Sequence, residues 1–108
     1  MDPITRRLRT ALTAAIRERN EPAIAAMRST LAAIANAEAV PAPATSTPLV
    51  GLGAGEAARR HLSQEDVLQI VRAEIAERMA VAAEYERLGR IDAADRLRAE
   101  AAALEHLL

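Results

Sequence analysis

The side chains of this 108-residue chain that could do proton chemistry are Glu74, Glu77 and Glu84, three carboxyls close enough in sequence to be read as a general acid/base set. Their neighbours give the same residues another use. Glu74 to Arg78, Asp92 to Arg96 and Arg96 to Glu100 all fall at i,i+4, the spacing of helix ion pairs worth a few tenths of a kcal/mol each. Metal chemistry has two histidines to draw on, His61 and His106, which lie far apart in sequence with no HExxH spacing and no carboxylate–histidine motif. The run Gly51-Leu52-Gly53-Ala54-Gly55 has the glycine content of a phosphate loop, but no strand precedes it and no lysine follows. Arg6, Arg7 and Arg9 form the one basic cluster able to meet phosphate, although no aromatic residues interleave with it.

Composition removes further chemistry. All 14 basic residues are arginine, so a P-loop lysine, a Schiff-base lysine and a lysine general base are excluded. The absence of cysteine excludes disulfides, thiolate nucleophiles and cysteine zinc sites, and fits a reducing compartment. The reading is therefore of no catalytic residue, no cofactor, no metal and no evident small-molecule substrate. The net charge of −1 splits unevenly: residues 1 to 40 carry six arginines against four acids, and residues 41 to 108 carry eight against eleven. Met1-Asp2-Pro3 opens with an acid where a signal peptide would be basic, and no segment reaches the roughly 18 apolar residues of a membrane span. A cytoplasmic chain without membrane contact is expected.

The elements that must carry these side chains are helices. Alanine supplies much of the 51% hydrophobic content, phenylalanine and tryptophan are absent, and Tyr85 is the sole aromatic, so an all-α fold with a thin core follows. Asp2 as N-cap and Pro3 at N1, followed by Ile4, Leu8, Leu12 and Ile16, predict helix 1 over about 3–19. Asn20 caps helix 2, about 21–39, whose seam is Ile24, Met27, Leu31 and Ile34. Residues 40–62, with Pro41, Pro43, Pro48 and three glycines, read as a flexible linker. Ser63 and Asp66 form a weak capping box for helix 3, about 64–88, with Val67, Leu68, Val71, Ile75, Met79, Ala82, Tyr85 and Leu88 on one stripe. Gly89 ends it in a left-handed cap, and helix 4, about 91–107, places Leu97, Ala101, Leu104 and Leu108 inward.

The short turn makes helices 3 and 4 antiparallel neighbours in a four-helix domain. At 1.5 Å per residue helix 3 would span roughly 37 Å and helix 4 roughly 25 Å. Leu68 and Val71, on the overhang, then need cover from helix 1, helix 2 or a second copy, which makes a homodimer one option. Residues whose numbers sum to about 179 face each other across the hairpin, which sets Arg78 beside Ala101 with Glu100 and Leu104 nearby; one expectation is an Arg78–Glu100 pair with Glu74 as second acceptor, the other is that both side chains point outward. Tyr85 is either core filler or partner anchor, and Arg90 in the turn either contacts a partner or caps the carbonyls of helix 3.

Four runs together resemble the GatB/YqeY family: Met27-Arg28-Ser29-Thr30-Leu31-Ala32-Ala33-Ile34-Ala35-Asn36-Ala37-Glu38, Leu62-Ser63-Gln64-Glu65-Asp66-Val67, Glu84-Tyr85-Glu86-Arg87-Leu88-Gly89-Arg90, and Ala99-Glu100. The resemblance implies a multihelical domain like the first part of YqeY-like proteins and the tail of GatB, the amidotransferase subunit whose tail helps hold tRNA. Family members usually continue past a Tyr-Leu-Pro segment into a second, three-helix domain, whereas this chain stops at His106-Leu107-Leu108, and their segment between helices 2 and 3 is charged rather than Pro- and Gly-rich. The family's association with carbon–nitrogen ligation using glutamine as amide donor would require a complex, since Ser-Ser-Lys amidase chemistry cannot exist without lysine. An adaptor bound to tRNA or to a protein is the function this resemblance implies, and a structural, self-associating helical module is the alternative; charge and position, rather than the resemblance, single out Arg90, Tyr85, Arg6, Arg7 and Arg9 as contact residues.

Overall fold

The computed structural model describes residues 1–39 and 61–108, which form four α-helices and no strand. These are α1 Pro3–Glu18, α2 Glu21–Ala39, α3 Gln64–Arg87 and α4 Ile91–Glu105. The flexible linker read at 40–62 falls, for residues 40–60, outside the described residues. Its last residue behaves otherwise: Leu62 is buried in the core, where an apolar side chain just ahead of a helix N-cap can pack under the first turn. No helix is long and apolar enough to cross a membrane.

The starts of α1, α2 and α3 are set by side-chain caps, whereas α4 begins after Arg90 with none. The Asp2 carboxylate accepts from the Thr5 N–H at 2.8 Å and from the Thr5 hydroxyl at 2.7 Å, ahead of Pro3 in the first turn of α1. Asn20 Oδ1 accepts from the Ala23 N–H at 3.2 Å at the start of α2. At α3 the capping box is complete, with the Asp66 N–H donating to Ser63 Oγ and the Ser63 N–H to Asp66 Oδ2, both at 3.0 Å. Burial acts to raise the Asp2 pKa, but the bonds from Thr5 and neighbouring backbone N–H groups outweigh it and hold the carboxyl below 3.8. A depressed folded-state pKa stabilises the fold above the unfolded value and ceases to do so as pH falls through the folded one. Asp2→Ala is therefore expected to cost about 1 kcal/mol at neutral pH. That deficit should shrink as pH falls below the ordinary carboxylate range and through the depressed folded-state pKa, a trend checked by urea denaturation across the acid range.

Two helices end in left-handed residues. Gly89, at φ 77°, closes α3 with the Arg90 N–H donating to the Tyr85 carbonyl at 2.8 Å and its own N–H to the Glu86 carbonyl at 3.0 Å. A Cβ at Gly89 would meet no atom within 4 Å, so Gly89→Ala tests backbone conformation alone. The expected loss is about 1 kcal/mol by thermal denaturation, with the helical content of the native state unchanged. The same double bond pattern closes α1 at Arg19, φ 56°, where the Asn20 N–H reaches the Ala15 carbonyl at 2.9 Å. Nothing in the residue type at Arg19 announces that conformation, because arginine has no special tolerance of it.

The core joins all four helices. Ile4 and Leu8 of α1, Ala26, Met27 and Ile34 of α2, Leu62, Val67 and Val71 at the start of α3, and Leu104 of α4 make one buried cluster. Val71 is fully buried and Leu68 packs against this cluster, so α1 and α2 of the same chain supply the cover that the overhang of α3 requires. Thr30, fully buried on α2, returns its hydroxyl to the Ala26 carbonyl at 2.8 Å and so costs the core no unmade hydrogen bond.

The apolar stripes overreach this core at their ends. Ile16 is 47% exposed, Met79 45%, Leu88 67% and Leu108 51%, although each continues a stripe whose earlier members are buried. Helical periodicity defines a face, while burial depends on how far the neighbouring helix extends along it. The helices are also shorter than the patterns indicate: α1 stops at Glu18, α3 at Arg87 and α4 at Glu105. Beyond Ile75 on α3 and before Ala103 on α4, the hairpin contributes nothing to the main cluster; its buried positions there include Ala82, Ala94 and Ala101. Small side chains let two helices approach closely, and α3 with α4 forms the most extensive interface of the domain.

Candidate functional site

The antiparallel hairpin sets a polar network between helices. Arg78 Nε donates to Glu100 Oε1 at 2.9 Å across the hairpin, and its Nη1 donates to Glu74 Oε1 at 2.8 Å one turn back on α3. The same Nη1 reaches the Glu74 carbonyl at 3.1 Å. Two outer groups extend the chain of contacts: Ser29 Oγ of α2 donates to Glu74 Oε1 at 2.9 Å, and Arg96 Nε to Glu100 Oε2 at 3.2 Å. Three helices thus share one polar network, whose charges all lie on α3 and α4. The side chains of Arg78 and Glu100 are only 11% and 12% exposed, whereas Arg96 is 47% exposed.

Burial acts to lower the Arg78 pKa, but the hydrogen bonds it donates to Glu74 and Glu100, reinforced by their charges, outweigh it and hold the guanidinium above its usual value. Arg78 therefore stays charged and cannot trade a proton with either carboxylate. Among the described residues no buried side-chain nitrogen or oxygen lacks a hydrogen-bond partner. The network has the character of a fastener between helices, with its donors and acceptors directed at each other.

The three glutamates considered for acid/base work are separated by their partners. Glu74 is bound into the network, Glu84 pairs with Arg87 on the same helix, and Glu77 stands on the rim of a shallow depression beside Arg78 and Leu97. Asp92 lies in the first turn of α4 and forms no pair with Arg96, which turns instead to Glu100. A cross-hairpin pair that spacing along one helix could not reveal joins Arg98 to Glu86, with Asp95 as a second acceptor at 3.5 Å.

The candidate contact residues fall in two places. At the tip of the hairpin Tyr85 is half-buried and the Arg90 guanidinium lies over its ring, 5.5 Å from the centroid. Arg90 meets the end of α3 with its backbone N–H, while its side chain takes the aromatic face. At the other end, Arg6, Arg7 and Arg9 are exposed on α1. Arg6 Nη2 donates to the Met1 carbonyl at 3.0 Å and Arg7 Nη1 to the Leu107 carbonyl at 3.2 Å, a link from α1 to the end of the chain. Arg9 lines a groove of about 650 Å³ with Asp2, Glu38 and His61, between the start of α1, the end of α2 and the start of α3. His106 is exposed just beyond α4, remote in sequence from His61. Among the described residues no group of three or more histidine, aspartate or glutamate side chains is placed to hold a metal.

These features define an all-α domain of four helices built on a long antiparallel hairpin. Compared with known proteins, the chain matches no family model, no curated protein and no solved structure.

Proposed function

We propose that this chain is a non-catalytic helical adaptor, working in association with tRNA or with a tRNA-dependent, amidotransferase-like complex. The observation that carries the reading is the state of its arginines. Arg78, Arg87, Arg96 and Arg98 are each committed to carboxylates within the hairpin. Arg6, Arg7, Arg9 and Arg17 of α1 have no carboxylate within 4.0 Å among the described residues. Exposed guanidiniums without a carboxylate partner are the groups that meet phosphates or a partner's acids. The four runs that resemble the GatB/YqeY family direct this general capacity toward tRNA, and a role as accessory part of a carbon–nitrogen ligase with glutamine as donor would place the chemistry in the rest of the complex.

The test is a titration with bulk tRNA at low and moderate salt, together with co-purification from the native host. Phosphate-driven binding should be present at low salt and weaken steeply as salt rises. Absence of binding at both salts would discard the tRNA association, and absence of any co-purifying macromolecule as well would discard the adaptor reading. A second reading, a structural module that self-associates, draws on the half-exposed Met79, Ile91 and Leu108 rather than on the overhang of α3. A sedimentation profile that stays monomeric at high protein concentration would end it.

A further inference from the structure

The outer face of α1 carries a groove that the polar network does not use. Pro3, Ala11, Ala14 and Leu107 give it apolar lining, Arg6, Arg7 and Thr10 polar lining, and its volume is about 440 Å³. From Pro3 to Ala14 the groove runs three turns, roughly 16 Å at 1.5 Å per residue, with Arg7 and Thr10 between Pro3 and the apolar pair Ala11 and Ala14. Ala11 and Ala14 have nothing beyond Cβ, so a second helix can lie close against α1 there. The hydrogen bond from Arg7 to the Leu107 carbonyl fixes Leu107 against α1.

Charge decides what suits this groove. Along Pro3–Glu18 there are four arginines and one acid, Glu18, in a chain whose net charge is −1. Asp2, the nearest carboxylate in sequence, is engaged by the N–H and hydroxyl of Thr5. Arg17 lies one turn beyond Ala14 and extends the cationic border along the same side of the helix. An RNA backbone would satisfy these cations but gain nothing from an apolar lining, whereas an amphipathic helix uses both.

We infer that α1 is the docking surface for an acidic amphipathic helix of a partner protein, whose apolar seam lies over Ala11, Ala14 and Leu107 and whose flanking carboxylates meet Arg6 and Arg7. This deepens the adaptor reading and rests on it, by naming a face and a partner chemistry. A second copy of the chain would make a head-to-tail contact between unlike surfaces, which forms rings or open filaments rather than a closed dimer.

The experiment uses the whole chain, labelled with ¹⁵N, and a synthetic amphipathic helix of about four turns with a Leu/Ala seam flanked by Glu. A peptide of the same seam flanked by Lys is the control. Acidic-peptide shifts centred on Ala11, Ala14 and Leu107, weakened by salt and absent with the Lys-flanked peptide, are expected. Arg6→Glu, which leaves the Arg7–Leu107 contact in place, should weaken binding several-fold by loss of charge complementarity. Ala14→Gln, at an exposed position, should weaken it by filling the groove while leaving the charge unchanged. The inference is overturned if the two peptides bind alike, if neither binds, or if the shifts map elsewhere. It is also overturned if α1 shifts follow protein concentration, which would identify a second copy. Bulk tRNA shifting this face without binding of the acidic peptide would overturn the inference and leave the adaptor reading standing.

Discussion

Arg78→Ala is expected to lower the unfolding free energy by about 3 kcal/mol, a large share of what a domain of this size possesses. The loss is large because one cation serves two carboxylates. Removing it leaves Glu100, 12% exposed, and Glu74, 17% exposed, with their negative charges turned toward each other and only Ser29 and Arg96 as remaining donors. Arg78→Lys should recover part of the stability, since an ammonium restores the charge but lacks the fork that contacts both acids. A replacement of Arg78 and Glu100 together by Met and Leu should lose less than the single alanine change, because neither charge is then left unpaired. Guanidinium-induced unfolding monitored by circular dichroism checks all three; an Arg78→Ala midpoint equal to wild type would show that water replaces the network freely.

Leu104→Ala is expected to cost about 3 kcal/mol or more, while Met79→Ala on the other helix of the hairpin should change stability by less than about 0.5 kcal/mol. Leu104 is fully buried and joins α4 to the cluster formed by Ile4, Leu8, Met27 and Val71. With no phenylalanine or tryptophan in the chain, few large side chains are available to close over the cavity. Met79 is 45% exposed, and its truncation leaves no void. Comparable losses at the two positions, measured by thermal and chemical denaturation, would mean that Met79 is covered in solution.

Local chemistry made the helix boundaries legible. Asp2-Pro3, Asn20, Ser63 with Asp66, and Gly89 each specify backbone geometry within a few residues, and the structure turns at those positions. The partner of Arg78 was legible in part for a related reason: a tight turn at Gly89 fixes the antiparallel register, which brings Glu100 within reach, while the inward turn of both side chains is settled only by the packing of the hairpin. Contacts between helices distant in sequence carry no such signal. Ser29 reaching Glu74, and Arg7 reaching the Leu107 carbonyl, depend on how the α1–α2 pair sits against the hairpin, which no spacing along one helix encodes. The stripes overran at Ile16, Met79 and Leu88 for the same reason. For the contact surface, Arg6, Arg7 and Arg9 were visible as a basic cluster, but the groove beside the first two arises from the approach of Leu107 to α1.

The division of the hairpin into a base packed on Val67, Val71 and Leu104 and a distal part buried mainly through alanines has a kinetic consequence. Amides of Ala82 to Ala94 should exchange with solvent through a local opening that leaves α1 and α2 folded, because little apolar area is exposed when the distal turns separate. Amides around Val71 and Leu104 should exchange only through global unfolding. The distal part can then yield and re-form on its own timescale, so that a macromolecule engaging Tyr85 and Arg90 would slow exchange there without altering the protection of the base.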